Sequence, residues 1–542
     1  MSQTQIPTTQ HAIQIVGVDE VVVNPAKPVD PVGPHQVLLQ VEACGICFSD
    51  TKLLHAFDQH PRKSGLTGGL SADQLAEIPS YRPGSQPTVP GHEPVGRVVA
   101  VGEQVSSFAL GDRVLVQADW KHLPTARSNG AFGYNFEGAL QEYVVVDERC
   151  VVSPAGEKML LPVAEEPSAA AVGLIEPWAT VEAAYASQER RGLLPGGRVL
   201  VVAEEGAATA GLDPLLAAAE PAEVVRVAPD QLPSEGSFSD IVCFGADAAV
   251  LSRLGDLLGV HGLLNVVLGG RQVDGPVRVD VGRVHYDDIR YCGTTGYDPA
   301  AGYAWVPETG NLRPGDQVAV IGAAGPMGMM HVIRAVTLPT EGITVASVTA
   351  TDLSDERLAH LAREVDPVAA RHQVPVTYLN TSTTELAGGY SYLACMVPVP
   401  AVMAQAVQWA GPGAIVNAFA GIPAGTYAEI DLQHLVADQV YLLGTSGSDI
   451  TDMATVLRKI ESEVVDTTVS LDAVCGMAGF LDAIRSVMER TSGGKIMVFP
   501  SLPDLGLVRL ADLPQQLPQV AAQLRDGRWT KAAEDTLLGR TG

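Results

Sequence analysis

Beyond residue 190 the chain nearly says the same thing twice, and nothing else in it limits the possible folds so strongly. Leu194-Pro-Gly-Gly-Arg-Val-Leu-Val-Val202 returns 119 residues later as Arg313-Pro-Gly-Asp-Gln-Val-Ala-Val-Ile321. Asp240-Ile-Val-Cys243 and Leu264-Asn-Val266 return 152 residues later as Tyr392-Leu-Ala-Cys395 and Val416-Asn-Ala418. Gly293-Thr-Thr-Gly296 returns as Gly444-Thr-Ser-Gly447. Apolar runs bounded by glycine and alternating with helical stretches read as parallel strands with crossover helices. Two βα repeats of one ancestry account for this, the first shorter by about 33 residues in its front half.

The copies differ at their first turn. In the second, Val318-Ala-Val-Ile321 runs into Gly322-Ala-Ala-Gly325-Pro326-Met327-Gly328 and then an apolar helix. Glycines there let the backbone approach a pyrophosphate at the helix amino terminus. The strand from Ile343 ends at Asp352, whose carboxylate would accept hydrogen bonds from an adenosine ribose and repel a 2′-phosphate, favouring NAD over NADP. The first copy carries Glu204 and Glu205 at its turn, so it is expected to bind no dinucleotide.

The segment before the repeats reads as short antiparallel strands with chemistry at their ends. Residues 12–42 alternate apolar and polar positions. Cys47, His92 and Glu176 supply a thiolate, an imidazole and a carboxylate, a set that suits a catalytic zinc with its fourth position open. Glu93 is a supporting partner of that site or an alternating ligand. Ser49 stands two residues past the thiolate, placed to relay a proton. Asp50 either orients a ligand or caps a helix. Cys44-x-x-Cys47 also matches a redox spacing, but no thioredoxin-like βαβ pattern surrounds it. Residues 117–137 hold no cysteine, so no structural zinc is expected. Residues 51–88 form a polar, turn-rich loop. Its Arg62, Lys63 and Arg82 either hold an anionic substrate group or are simply solvated.

Composition excludes several partners. With 62 acidic against 35 basic residues the formal charge is −27, which disfavours nucleic acid and anionic membranes. A hydrophobic content of 46% with 18% charged residues suits buried α/β domains. No apolar run spans a bilayer and no signal peptide is visible at the amino terminus. Seven scattered cysteines read as reduced thiols, hence a cytoplasmic protein.

The set Gly45-Ile-Cys47-Phe-Ser49-Asp50, Gly91-His92-Glu93, Glu176-Pro177, the glycine loop and Gly494-Lys-Ile-Met-Val-Phe499 resembles the zinc-dependent medium-chain dehydrogenase/reductase family. Glu-Pro in place of a third cysteine resembles its polyol dehydrogenase branch. Tyr378-Leu-Asn-Thr381, the run Asn417–Gly421 and Leu443–Gly447 resemble sorbose-1-phosphate reductase-like members. The resemblance implies an α/β chain: a GroES-like β-rich catalytic domain and two tandem Rossmann-like doubly wound parallel sheets, the first degenerate. The expected boundaries are 1–189 for most of the catalytic domain, 190–305 for the degenerate repeat and 306–450 for the NAD-binding domain. Residues 451–503 would return to the catalytic domain, and 504–542 form a tail. The resemblance also implies one catalytic zinc on Cys47, His92 and Glu176 with Glu93 nearby. NAD would lie on Gly322, Gly325, Pro326, Met327, Gly328 and Asp352, with Thr445 and Ser446 beside it. The implied activity is hydride transfer between NAD and a secondary alcohol of a polyol, sugar or sugar phosphate. An amino-alcohol (threonine-like) dehydrogenase and a non-catalytic nucleotide sensor are the alternatives. Either a homo-oligomer or an internal pseudo-dimer through the repeated domain is expected.

Overall fold

A computed structural model of the chain describes residues 6–204, 206, 209 and 211–540. Glu205, one of the two carboxylates expected to repel a pyrophosphate, lies outside them. The chain divides into two compact units, Met1–Thr180 with Ser448–Gly542, and Val181–Gly447. The divisions fall a few residues before the expected 189 and 450. Residues 190–305 and 306–447 both lie in the second unit.

In the first unit an 8-stranded sheet is built around Gln36–Ile46. One edge of that long strand pairs antiparallel with Glu93–Val101. Its other edge is shared, Tyr143–Asp147 taking the first half and Lys495–Val498 the second. Alternate residues such as Val37, Leu39 and Val41 enter one apolar core, as period-2 geometry requires. The loop after Cys47 is not featureless: it holds a helix Phe48–Ala56, two short 3-10 turns and a capped helix Ala72–Ala76.

The tail belongs to this unit. Val508–Arg509 adds a short antiparallel strand beside Leu471–Cys475. Trp529 is buried against Phe499. Buried Glu534 accepts hydrogen bonds from the Ala169 and Ala170 amides, 2.7 and 3.0 Å, at the start of helix Ala169–Gly173. That helix leads directly into Ile175–Ala186, which carries Glu176. Glu534→Ala would leave both amides buried without partners. We expect a loss of about 3 kcal/mol in denaturant unfolding, with Glu534→Gln, which keeps one acceptor, losing about half of that.

The second unit contains two parallel sheets. The six-stranded one runs Val376–Asn380, Ser347–Asp352, Gln317–Ile321, Tyr390–Cys395, Ala410–Asn417, Tyr441–Leu443. The five-stranded one runs Glu223–Val227, Arg198–Ala203, Phe238–Phe244, Leu258–Val267, Arg290–Thr294. The orders match strand for strand except that the five-stranded sheet has no counterpart of helix Asp355–His372 and strand Val376–Asn380 among the described residues. Those elements account for the shorter front half of the first repeat.

One apolar core is continuous through both sheets, from Leu200 and Val266 to Val416 and Leu442. Val277–Asp280 pairs antiparallel with Tyr427–Ile430, and Arg278 faces Glu429. Each of these strands runs into an aspartate that caps the next helix, Asp280 at the end of the first before Val281–Tyr286 and Asp431 just after the second before Leu432–Ala437. Arg278 and Glu429 each stand two residues before the capping aspartate. The outer strands are also tied: the Arg290 guanidinium pairs with Glu189 at 2.9 Å and donates to the Gly444 carbonyl, while the Tyr441 hydroxyl donates to Glu189. No helix among the described residues is long and apolar enough to cross a membrane.

Candidate metal centre and dinucleotide site

Antiparallel pairing assembles the first site. Gln36–Ile46 ends where Glu93–Val101 and Lys495–Val498 begin, so Cys47, His92, Glu93 and Lys495 gather at one end of the sheet. Gly45 lies directly opposite Glu93. A β carbon on Gly45 would come within 2.1 Å of Glu93 Oε2, so the carboxylate occupies the space a side chain would need. Gly91 precedes His92 with φ of +98°, in the left-handed region, and a β carbon there would crowd Cys44 Sγ at 2.8 Å.

Ligand atoms of Cys47, His92 and Glu93 lie within 4.8 Å of one another. Glu93 Oε1 accepts from the Lys495 ammonium at 2.5 Å, while Oε2 is buried without a hydrogen-bond partner. A thiolate, an imidazole and a carboxylate oxygen left bare in a buried position suit a divalent zinc-like ion. The residues present therefore fit that group.

Glu176 is not part of the close trio. Its carboxyl is pushed up to about 7 by burial, with His92 pulling it down and Glu93 pushing it up, so it lies within electrostatic reach of both. The carboxylate that joins Cys47 and His92 in the close cluster is that of Glu93.

Neighbouring groups hold the trio. The Cys47 amide donates to Asp50 Oδ2 at 2.9 Å, while Asp50 Oδ1 stands 3.3 Å from His92 Nδ1. Asp50 therefore caps its helix and faces the imidazole at once. Ser49 Oγ is 3.0 Å from His92 Nε2. Cys44 is buried, and burial pushes its thiol well up, which leaves it inert. The loop cations part company. Lys63 is wholly buried, its ammonium donating to the Arg82 and Gln86 carbonyls, and it staples the loop instead of meeting a ligand. Arg82 stands 3.8 Å from Glu137. Of these three, Arg62 is the one near the site, paired with Asp119 at 2.9 Å and stacked over Tyr134, whose ring lies 5.4 Å from His92. Sequence reasoning missed Lys495 and Tyr134. Lys495 was visible only as one residue of a closing strand.

In the other unit, Gly322, Gly325 and Gly328 follow strand Gln317–Ile321 and open helix Pro326–Thr337. Gly322 has φ of +79°. A β carbon on Gly328 would meet Ala323 backbone at 2.6 Å, so this glycine serves close packing. A β carbon on Gly325 would meet only Arg357 Nη2, at 3.6 Å, so the space above it is open. Asp352 ends its strand, accepting from the Leu353 amide and standing 3.6 Å from Arg357 Nη2. Arg357 was not singled out in the sequence; the signal was its place in the first turn of a helix capped by Ser354. Thr445 and Ser446 follow strand Tyr441–Leu443, and Thr445 Oγ1 is buried without a partner. All these residues lie at the carboxyl ends of parallel strands, where such sheets bind ligands. At the matching turn of the first repeat, Glu204 is exposed.

Comparison with known proteins bears on this geometry. Residues 33–155 match the alcohol dehydrogenase GroES-like domain. An alcohol dehydrogenase of Aspergillus sp. (strain MF297-2) is 30% identical over 135 residues, 23% of this chain and 33% of that protein. D-altritol 5-dehydrogenase of Agrobacterium fabrum (strain C58 / ATCC 33970) is 31% identical over 146 residues, 25% of this chain and 36% of that protein. The chain thus spans about a third of the length of these relatives. The fold is similar to that of 2R,3R-butanediol dehydrogenase from Bacillus subtilis, with a TM-score of 0.52 at 17% identity, covering 91% of this chain and 100% of that one. The class defined is therefore an α/β protein with a GroES-like domain and parallel sheets, similar to alcohol and polyol dehydrogenases.

Proposed function

We propose that the chain is a zinc-dependent oxidoreductase that transfers hydride between a nicotinamide dinucleotide and a secondary alcohol or ketone of a polyol, sugar or sugar phosphate. The convergence of Cys47, His92 and Glu93 carries this reading. Similarity over 146 residues to D-altritol 5-dehydrogenase supports the substrate class.

Cys47 and His92 would hold the ion, with Glu93 and Glu176 alternating as the third ligand. Zinc, when bound, supplies Lewis acidity toward the substrate oxygen. Asp50 orients the imidazole. Lys495 holds one oxygen of Glu93 and leaves the other free for the ion. Ser49 takes the proton of the substrate hydroxyl and leads it outward. In the other unit, Gly325 and the helix that follows receive the pyrophosphate, with Pro326 and Met327 at that helix start. Asp352 accepts from the ribose hydroxyls, which favours NAD over NADP. Thr445 and Ser446 flank the cofactor.

The first repeat serves on this reading as a built-in partner. The antiparallel pair Val277–Asp280 with Tyr427–Ile430 supports an internal pseudo-dimer that covers strand edges within one chain. Seven free cysteines agree with a reducing cytoplasm.

Metal analysis combined with NADH absorbance across polyols, their phosphates and threonine tests the proposal. We expect stoichiometric zinc and turnover confined to the polyol class. A zinc-loaded protein that oxidised no secondary alcohol with either nicotinamide cofactor would overturn it.

A further inference from the structure

The chain is strongly acidic, yet the wall beside its metal centre is cationic. Lys52 lies three residues after Ser49 on helix Phe48–Ala56, so it shares the helix face that carries the hydroxyl next to His92. Arg127 sits in the turn between Asp119–Pro124 and Asn129–Ala131. Its guanidinium donates to the Gln59 and His60 carbonyls at 3.0 and 3.4 Å, which uses two of five N–H groups.

His60 marks where these cations meet. Its ring stacks on Tyr134 at 5.1 Å, and Tyr134 in turn lies 5.4 Å from His92. Burial first, then the nearby Arg62, Lys52 and Arg127, together push the His60 imidazole down to about 4. It is therefore neutral, and because Nδ1 accepts from the Arg62 amide at 3.2 Å, Nε2 carries the proton as a donor.

Charge counting then distinguishes the three cations. Arg62 is cancelled by Asp119. Neither Lys52 nor Arg127 is in an ion pair among the described residues; Arg127 touches only carbonyls, and Lys52 is exposed. His60 stands two ring spacings from the metal ligand His92 through Tyr134, with the Arg127 guanidinium bonded to the His60 carbonyl. Ser49, beside His92, and Lys52 are separated by about 4.5 Å of helix rise on one face, a span that a carbon chain bridges between a reacting carbinol and a terminal anion.

We propose that Lys52 and Arg127, assisted by His60, seat a phosphate monoester on the far end of the substrate. A phosphate monoester carries a charge of about −1.5 to −2 near neutrality, which two cations balance, whereas a carboxylate supplies one charge. The proposal rests on the dehydrogenase reading and narrows its substrate to phosphorylated polyols or sugars.

Calorimetric titration of the zinc-loaded full chain with a hexitol, its terminal phosphate and the matching aldonate tests the seat, beside NADH-coupled kinetics on each. The phosphate is expected to bind about tenfold tighter than the hexitol. Lys52→Gln should remove much of that preference without changing hexitol affinity, and Lys52→Gln with Arg127→Gln should abolish it. Lys52 is exposed, so the single variant is informative even if loss of Arg127 loosens the turn. Equal affinity for hexitol and phosphate, or a preference untouched by Lys52→Gln, overturns the seat. Tightest binding of the aldonate overturns the phosphate assignment in favour of a carboxylate. A Lys52-dependent phosphate preference in a protein that oxidises nothing upholds the seat while the dehydrogenase reading falls. Oxidation of hexitol and phosphate with equal KM upholds that reading while the seat falls.

Discussion

Cys47→Ser protein is expected to emerge without bound zinc and to oxidise its polyol about a thousandfold more slowly than the parent. Serine keeps the size of the side chain but offers an oxygen that does not ionise near neutrality, where the thiolate is a soft anionic ligand. The local fold should survive, because the bond from the residue 47 amide to Asp50 is made by backbone. What changes is the charge facing the ion. Glu93 Oε2 already lacks a protein partner, and one imidazole and one carboxylate are a poor site by themselves. Inductively coupled plasma spectrometry and NADH absorbance on the same sample provide the check. Full turnover in metal-free Cys47→Ser protein would rule out the mechanism.

The second large effect concerns the glycine turn. Gly325→Val should weaken NADH binding by about a hundredfold while leaving the thermal midpoint close to that of the parent. Gly325 has φ of −91°, which any residue adopts, and the only neighbour of an added β carbon is the end of a flexible arginine. The new methyls would enter the space where a pyrophosphate meets the helix amino terminus. Gly328→Val is the contrasting control. Its β carbon would meet Ala323 backbone at 2.6 Å, so it should lower the midpoint whether or not cofactor is present. Fluorescence titration with NADH beside thermal unfolding separates the two. Normal NADH affinity in Gly325→Val would show that no dinucleotide lies over this turn.

Much of the site is legible in the amino-acid sequence because its residues sit at punctuation points. Cys47 follows a strand, His92 follows a glycine with positive φ, and Gly322 ends an apolar run. Such junctions leave marks in composition. The choice between the carboxylates left none. Alternation along a strand would turn Glu93 away from its neighbour His92. Only the pairing of Gly45 with Glu93, at the very start of the strand, brings both to the cysteine. Lys495 lies 402 residues from Glu93 in the chain, a separation no local pattern bridges. The three loop cations look alike in sequence, and packing alone makes Lys63 a buried staple and sets Arg62 beside Tyr134.

By itself the sequence determined the parallel strands with their crossover helices and the glycine turn, because each rests on backbone preferences and apolar spacing within a few tens of residues. Tertiary structure alone decided that Glu93 clusters with Cys47 and His92, that Arg278 and Glu429 face each other across an antiparallel pair, and that the tail's Glu534 caps the helix before Glu176. These outcomes depend on strand register and on desolvated charges meeting across hundreds of residues, and such meetings are settled by packing.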